Sequence, residues 1–140
     1  MTAAAVPNGF HRATGTFELT MNPQPPYESS DGIALTRIAI SKVFHGALEA
    51  TSTMEMIAAG TAVKGSAGYV AIERVTGTLD GRTGTFVLQH SGTMTRGAPE
   101  LSVTIVPDSG TGELTGISGK LTIDIVDKKH YFTMDYRIGS

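Results

Sequence analysis

The stretch from Tyr69 to Thr95, YVAIERVTGTLDGRTGTFVLQHSGTMT, decides the fold of this chain. Two alternating runs flank Asp80-Gly81, a pair whose left-handed backbone preference suits a two-residue type I′ hairpin loop. With Leu79 opposite Arg82, Glu73 faces Leu88 and Ala71 faces His90. Side chains in a strand alternate with period two. Tyr69, Ala71, Glu73, Val75, Phe86, Leu88 and His90 therefore share one surface. That surface is mostly apolar, yet it holds a carboxylate and an imidazole as diagonal neighbours. Such a pair reads either as a proton-transfer site in a pocket or as a structural ion pair.

Outward from this hairpin, almost everything reads as strand. No segment sustains a 3.6-residue apolar period. Arg12 to Thr20 alternates as a first strand. Residues 21–32, MNPQPPYESSDG, read as a proline-rich loop, because Pro23, Pro25 and Pro26 do not fit a central strand. A short helix has room only within 21–34. Ala34 to Phe44 and Ala47 to Ile57 form a second hairpin. Glu100 to Val106 is a further strand, ended by Pro107 and DSGTG. Glu113 to Ile125 is one strand interrupted at GISG, or a loop followed by a strand. Lys129 to Ile138 closes the chain. About eight short-spaced strands suit an antiparallel barrel or sandwich. Closing the sheet removes the open edges that Thr- and Val-rich strands would otherwise expose. The expected organisation is a flexible arm over 1–11 and one barrel domain over 12–138.

Composition narrows the function classes. A chain of 140 residues is long enough for one domain with a real core. Net charge is -2, and the eleven Lys and Arg are spread along the chain, which argues against nucleic-acid or anionic-membrane surfaces. No run approaches the length of a membrane helix. The opening MTAAAVPNGFHR lacks a basic region followed by a long apolar core, so no signal peptide is expected. The chain has no cysteine, hence no disulfide framework and no thiolate site, which fits a cytoplasmic location.

In the 34–57 hairpin, pairing Phe44 with Ala47 sets Lys42 opposite Glu49 and Thr36 opposite Glu55 on a solvated face. Leu35, Arg37, Ala39, Ser41, Val43, Leu48, Ala50, Ser52 and Met54 then face inward. Arg37 becomes an interior cation opposite Met54. A one-residue slip in register reverses this assignment.

RATGTFEL (12–19), ALTRIAISKVFHG (34–46), ERVTGTLDGRTGTFVLQHSGT (73–93) and VPDSGTGELTGISGKLTI (106–123) together resemble an uncharacterised bacterial domain-of-unknown-function family. Its members are small proteins with the allene oxide cyclase-like barrel. The resemblance spans nearly the whole chain. It implies an all-β, single antiparallel eight-stranded barrel with an apolar interior, in a small homo-oligomer. It implies no established reaction. Barrels of this kind elsewhere steer cyclisation or coupling of bound apolar molecules, but fold alone does not assign function.

Among the chemistry-bearing residues, Glu73 and His90 stand first. In an apolar barrel, desolvation raises a Glu pKa and lowers a His pKa, while mutual attraction favours the ion pair. Either outcome suits a general base near neutral pH. Arg37 is second, needing Glu73, Glu18 or an anionic ligand as partner. Tyr69 is placed to donate to a ligand oxygen or to pack at the rim. Phe86, Leu88 and Met54 complete the expected ligand lining. Glu18 alternates outward between Phe17 and Leu19. His130 shares a face with Phe132, Met134 and Tyr136.

Other chemistries find no support. The four histidines (His11, His45, His90, His130) form no close pair, so no metal is expected. There is no G-x-S-x-G elbow, phosphate loop or recognisable glycosidase pair. The other face of the 69–95 hairpin, with Val70, Ile72 and Val87, is apolar enough to suggest a symmetric subunit contact, a dimer first. The sequence therefore points to a cofactor-independent cyclase or isomerase acting on a small apolar molecule inside the barrel. The alternatives are a non-catalytic binder of apolar ligands and a structural barrel filled by its own side chains.

Overall fold

The computed structural model describes residues 5–139, so part of the expected N-terminal arm, residues 1–4, lies outside the described residues. Nine strands follow in order: β1 (His11–Pro23), β2 (Glu28–Ser30), β3 (Ile33–Gly46), β4 (Leu48–Gly60), β5 (Ala67–Leu79), β6 (Arg82–Thr95), β7 (Ala98–Ile105), β8 (Ile117–Val126) and β9 (Lys129–Ile138). Each neighbour pair is antiparallel. The order β1-β9-β8-β7-β6-β5-β4-β3 is closed by β1 pairing with β3. The result is an all-β, closed eight-stranded barrel, with β2 as a short ninth strand on β3.

The hairpin of β5 and β6 has the expected register, Leu79↔Arg82, Glu73↔Leu88 and Ala71↔His90. Its turn residues Asp80 and Gly81 have φ of 47° and 84°, both in the left-handed region that a type I′ turn demands.

The hairpin of β3 and β4 departs from expectation. Phe44 pairs with Ala50, and Lys42 with Ser52. This offset of three positions from the Phe44–Ala47 pairing reverses the face of β3 relative to β4. Ile38, Ile40, Lys42 and Phe44 point inward, and Leu35, Arg37, Ala39, Ser41 and Val43 do not. The cause is the barrel corner. His45 and Gly46 pair with Thr16 and Gly15 of β1, while Leu48 and Glu49 pair with Leu79 and Thr78 of β5. The two strand ends splay to different partners, with only Ala47 between them, and their mutual pairing stops at Phe44↔Ala50. The Gly46 amide donates to Glu49 Oε1 at 2.9 Å.

The proline-rich segment also differs. β1 runs on to Pro23, opposite Ile38, and β2 follows after only four residues. Pro23 is tolerated because β9 pairs with β1 only from His11 to Phe17, so Pro23 sits on an open edge. The segment 21–34 holds no helix. The 3-10 turn lies at Gly112–Leu114, so the sequence after Val106 is a loop, a turn and then β8.

The barrel interior divides into two levels. At one end a cluster that includes Leu48, Val75, Leu79, Phe86, Leu114, Phe132 and Met134 is sealed from solvent. Leu114, from the 3-10 turn, caps this end with no exposed surface. Beyond it lies a smaller cluster of Ile40, Met54 and Ala71, with Leu19, Ile38 and Met56 packed against it. This second end flares open. β7 and β8 pair only at Val103↔Leu121 and Thr104↔Lys120. By contrast, β7 stays paired with β6 as far as Ala98, and β8 with β9 as far as Val126. A seam therefore runs between residues 98–102 of β7 and 122–126 of β8.

Candidate functional site

Between the two levels sits a buried polar cluster. Glu73 on β5 has no exposed surface, and His90 on β6 is 2% exposed. His90 Nε2 lies 2.7 Å from Glu73 Oε1. Lys42 Nζ on β3 donates to the same oxygen at 3.2 Å. Ser52 Oγ on β4 donates to Oε2 at 2.5 Å. Four adjacent strands thus each contribute one inward-facing polar side chain. Lys42 Nζ also lies over the Phe17 ring, 4.6 Å from its centroid.

The electrostatics favour an ionised Glu73. Burial pushes its carboxyl up, but the His90 hydrogen bond, the Lys42 charge and the Ser52 hydrogen bond outweigh it, leaving the pKa below the usual carboxylate value. The imidazole nitrogen facing this carboxylate carries the proton and donates it. His90 Nδ1 has no side-chain partner, and no buried side-chain nitrogen or oxygen among the described residues lacks one. Nδ1 is therefore the ring nitrogen that reaches the small exposed surface of His90. A carboxylate holding one imidazole nitrogen and leaving the other free is the orientation a general base requires.

Above the cluster, towards the open end, the walls are apolar. Inward-facing positions here include Met21, Met94, Leu101 and Ile125, which are 42–65% exposed. Tyr69 on β5 is partly buried and lies opposite Gly92 of β6. A Cβ on Gly92 would stand 2.5 Å from Tyr69 Cε1, so the glycine makes room for the ring to lean across β6. Burial raises the Tyr69 pKa, which keeps its hydroxyl a neutral donor.

A hollow of about 440 Å³ enters beside the turn between β8 and β9, lined by Phe17, Leu19 and His130 among others. It reaches the Phe17 ring that Lys42 covers. Three further hollows lie elsewhere on the surface, and none of these four is lined by Glu73 or His90.

The expected site residues sort into three groups. Glu73, His90, Met54 and Tyr69 share the inward face, as the alternation requires. Phe86 and Leu88 share it too, but both are 1% exposed and belong to the sealed level. Arg37 does not belong to the interior. It projects outward and donates to Glu55 Oε1 at 2.8 Å, with both side chains more than half exposed. The register offset in β3 is the reason, and Lys42 is the interior cation instead. Lys42, which the sequence reading set on the solvated face, and Ser52, which it set inward without a role, are the functional candidates it missed. The signal for Lys42 was the run Ile38-x-Ile40-x-Lys42-x-Phe44, apolar at every second position around one lysine.

Residues 13–136 match the family described as "Protein of unknown function (DUF3224)". The chain belongs to this family. It is also similar to a solved DUF3224-family protein of unknown function from Shewanella oneidensis MR-1. The two are 45% identical with a TM-score of 0.89, covering 94% of this chain and 99% of that one. No curated protein matches the chain. Membership of DUF3224 carries the barrel and assigns no reaction, so any activity has to be argued from the cluster itself.

Proposed function

We propose that this DUF3224 protein is a cofactor-independent enzyme of the isomerase or cyclase kind, acting by proton transfer on a small apolar molecule at the open end of its barrel. The observation that carries this reading is the Lys42–Glu73–Ser52–His90 cluster. A buried ion pair contributes little net stability compared with apolar residues of similar volume. The cluster stands where apolar packing would serve a purely structural barrel as well. It also presents one imidazole nitrogen free at the base of an apolar mouth. In this scheme His90 Nδ1 is the base. Glu73 fixes the ring and stabilises the imidazolium that forms, while Lys42 and Ser52 hold Glu73 in its ionised form.

A base in a water-poor site accelerates the ring-opening elimination of nitrobenzisoxazole, whose C–H proton is taken as its N–O bond breaks. The protein is expected to raise this rate above buffer, and His90→Gln to lower the enhancement by about 100-fold. Equal rates for protein and buffer, or for wild type and His90→Gln, reject the proton-transfer reading.

A second reading, a non-catalytic binder, is supported by the same exposed apolar positions at the mouth. Native mass spectrometry of protein from its own host tests it: a co-purified apolar molecule without turnover favours the binder.

A further inference from the structure

We infer that the substrate class is a neutral, largely apolar carbonyl compound with an acidic C–H beside the carbonyl, its oxygen held by Tyr69 and its proton taken by His90. This rests on the proton-transfer reading above and extends it to the ligand. Two observations beyond the polar cluster carry it.

The first is the placement of Tyr69. Its ring leans onto Gly92, two residues beyond His90 on the same face of β6, with the hydroxyl 3.0 Å from where a Gly92 Cβ would stand. Across the strands, Tyr69 and His90 are diagonal neighbours, with backbones about 7–8 Å apart. A hydrogen-bond donor and a free imidazole nitrogen thus occupy neighbouring positions on one inward face. In the proposed pose a carbonyl lies with its oxygen towards the hydroxyl and its adjacent C–H towards the imidazole. The Tyr69 hydroxyl enters no side-chain hydrogen bond among the described residues, and burial alone accounts for its raised pKa.

The second is charge balance. Lys42 is matched by Glu73 at 3.2 Å, so the floor of the mouth offers no unmatched charge. On that floor a carboxylate ligand would meet a cation already paired, and an ammonium an anion already paired; Lys128, Lys129 and Asp127 stand farther out, at the β8–β9 turn. Arg37, the cation that would have suited a carboxylate, is outside the barrel and paired with Glu55.

The step balances without a co-reactant. His90 Nδ1 takes the proton, and the C–H electron pair becomes the C=C of an enolate. The enolate oxygen accepts the Tyr69 hydroxyl hydrogen bond. The imidazolium then returns the proton, to the same carbon or to the far carbon of a conjugated system, which moves the double bond. Apolar walls from Ile40, Met54 and Ala71 keep the oxyanion in a medium where one donor counts for more than it does in water.

The test is hydrogen–deuterium exchange at the α-carbons of cyclohexanone in deuterium oxide, followed by proton NMR. Wild type is expected to accelerate exchange over buffer. His90→Gln is expected to lose the acceleration, and Tyr69→Phe to reduce it by about 100-fold. Arg37→Ala, on the outer wall, serves as the unchanged control. Tyr69→Phe removes only an unpaired hydroxyl, so its fold is expected to persist, as circular dichroism would confirm. Nitrobenzisoxazole turnover without ketone exchange overturns the carbonyl assignment and leaves proton transfer standing. Absence of both overturns both. Full exchange in Tyr69→Phe overturns the role of Tyr69. Cyclohexanone is also expected to inhibit nitrobenzisoxazole turnover more strongly than cyclohexanecarboxylate, and the reverse order overturns the neutral-ligand assignment.

Discussion

At the packed end of the barrel, Leu48, Leu79, Leu114 and Met134 have no exposed surface, and Phe44, Phe86 and Phe132 are 1% exposed. At the other end, Met21, Met94, Leu101 and Ile125 also occupy inward-facing positions, yet they are 42–65% exposed. Both ends obey the same alternation of side chains. They differ in what closes them. The packed end has a cap, Leu114, and bulky rings that fill the bore. The open end has lost the β7–β8 pairing beyond Val103, and the inward-facing side chains beside that seam stay exposed. Burial in a barrel therefore follows closure, and alternation alone sets only which side chains are eligible. The polar cluster lies at the boundary, where Glu73 has no exposed surface and His90 keeps 2%.

The largest effects are expected where the two ends meet. Glu73→Gln leaves the Lys42 ammonium buried without its carboxylate, and a broken buried pair costs about 3–5 kcal/mol. Phe86→Ala, wholly within the packed end, is expected to cost a similar 3–5 kcal/mol by opening a cavity. The two differ in a second respect. Turnover should vanish in Glu73→Gln and persist in whatever fraction of Phe86→Ala folds. Urea unfolding alongside the nitrobenzisoxazole assay reads both. Equal retention of activity would mean that the cluster is only scaffolding.

Replacing both partners sharpens the comparison. Lys42→Met combined with Glu73→Leu removes both buried charges, and such replacements are often neutral or stabilising. The double variant is expected to unfold at a higher urea concentration than Glu73→Gln, with no recovery of turnover. If it is no more stable than the single variant, the cluster holds the barrel together and its polar groups have a structural purpose.

Acid should act through the same group. The folded Glu73 carboxyl has a lowered pKa, so its stabilising contribution is complete above the ordinary carboxylate value of about 4.3. That contribution is lost as pH falls through the lower folded value. Asp135, also lowered, chiefly by its hydrogen bonds from Arg12, adds in the same direction. The urea midpoint should fall with acid in wild type, and less steeply in the Lys42→Met, Glu73→Leu variant. Identical slopes would move the acid sensitivity away from Glu73.

How much of this was legible in the residues differs from one hairpin to the other. Asp80-Gly81 names its own turn, and a two-residue loop leaves one register, so Glu73 and His90 could be placed on one inward face from sequence alone. His45-Gly46 looks similar, but the strands it joins end on different neighbours, β1 for one and β5 for the other. Pairing partners distant in sequence fixed that register. The cost was the identity of the interior cation, Lys42 in place of Arg37. The open seam was illegible for a related reason: Leu101 and Ile125 read as ordinary strand residues, and only the divergence of β7 from β8 exposes them. Pro99, which has no amide to donate, lies along the stretch of β7 that has lost its β8 neighbour.

At the mouth, effects on stability should be small and effects on ligand large. Leu101→Ala removes apolar area that is already 42% exposed, so it is expected to cost about 1 kcal/mol. The same change takes away part of the wall against which an apolar molecule would lie. Fluorescence of anilinonaphthalene sulfonate should therefore weaken in Leu101→Ala and stay near wild type in Phe86→Ala under native conditions. The opposite pattern would place the binding surface away from the seam.

The smallest effect belongs to the outer wall of the β3–β4 hairpin. Arg37 and Glu55 are 62% and 52% exposed, and an exposed pair of this kind is worth about 0–1 kcal/mol. Arg37→Ala should shift the urea midpoint little, and added salt should erase most of the difference. An interior Arg37 facing Met54 would behave otherwise, because removing a buried cation would leave its partner charge stranded and salt would not mask the loss. A double-mutant cycle of Arg37→Ala with Glu55→Ala, run at low and high salt, therefore tests the register of the β3–β4 hairpin directly. A coupling above about 2 kcal/mol that persists in salt would mean that β3 presents its other face to the barrel, with Arg37 inside and Lys42 out.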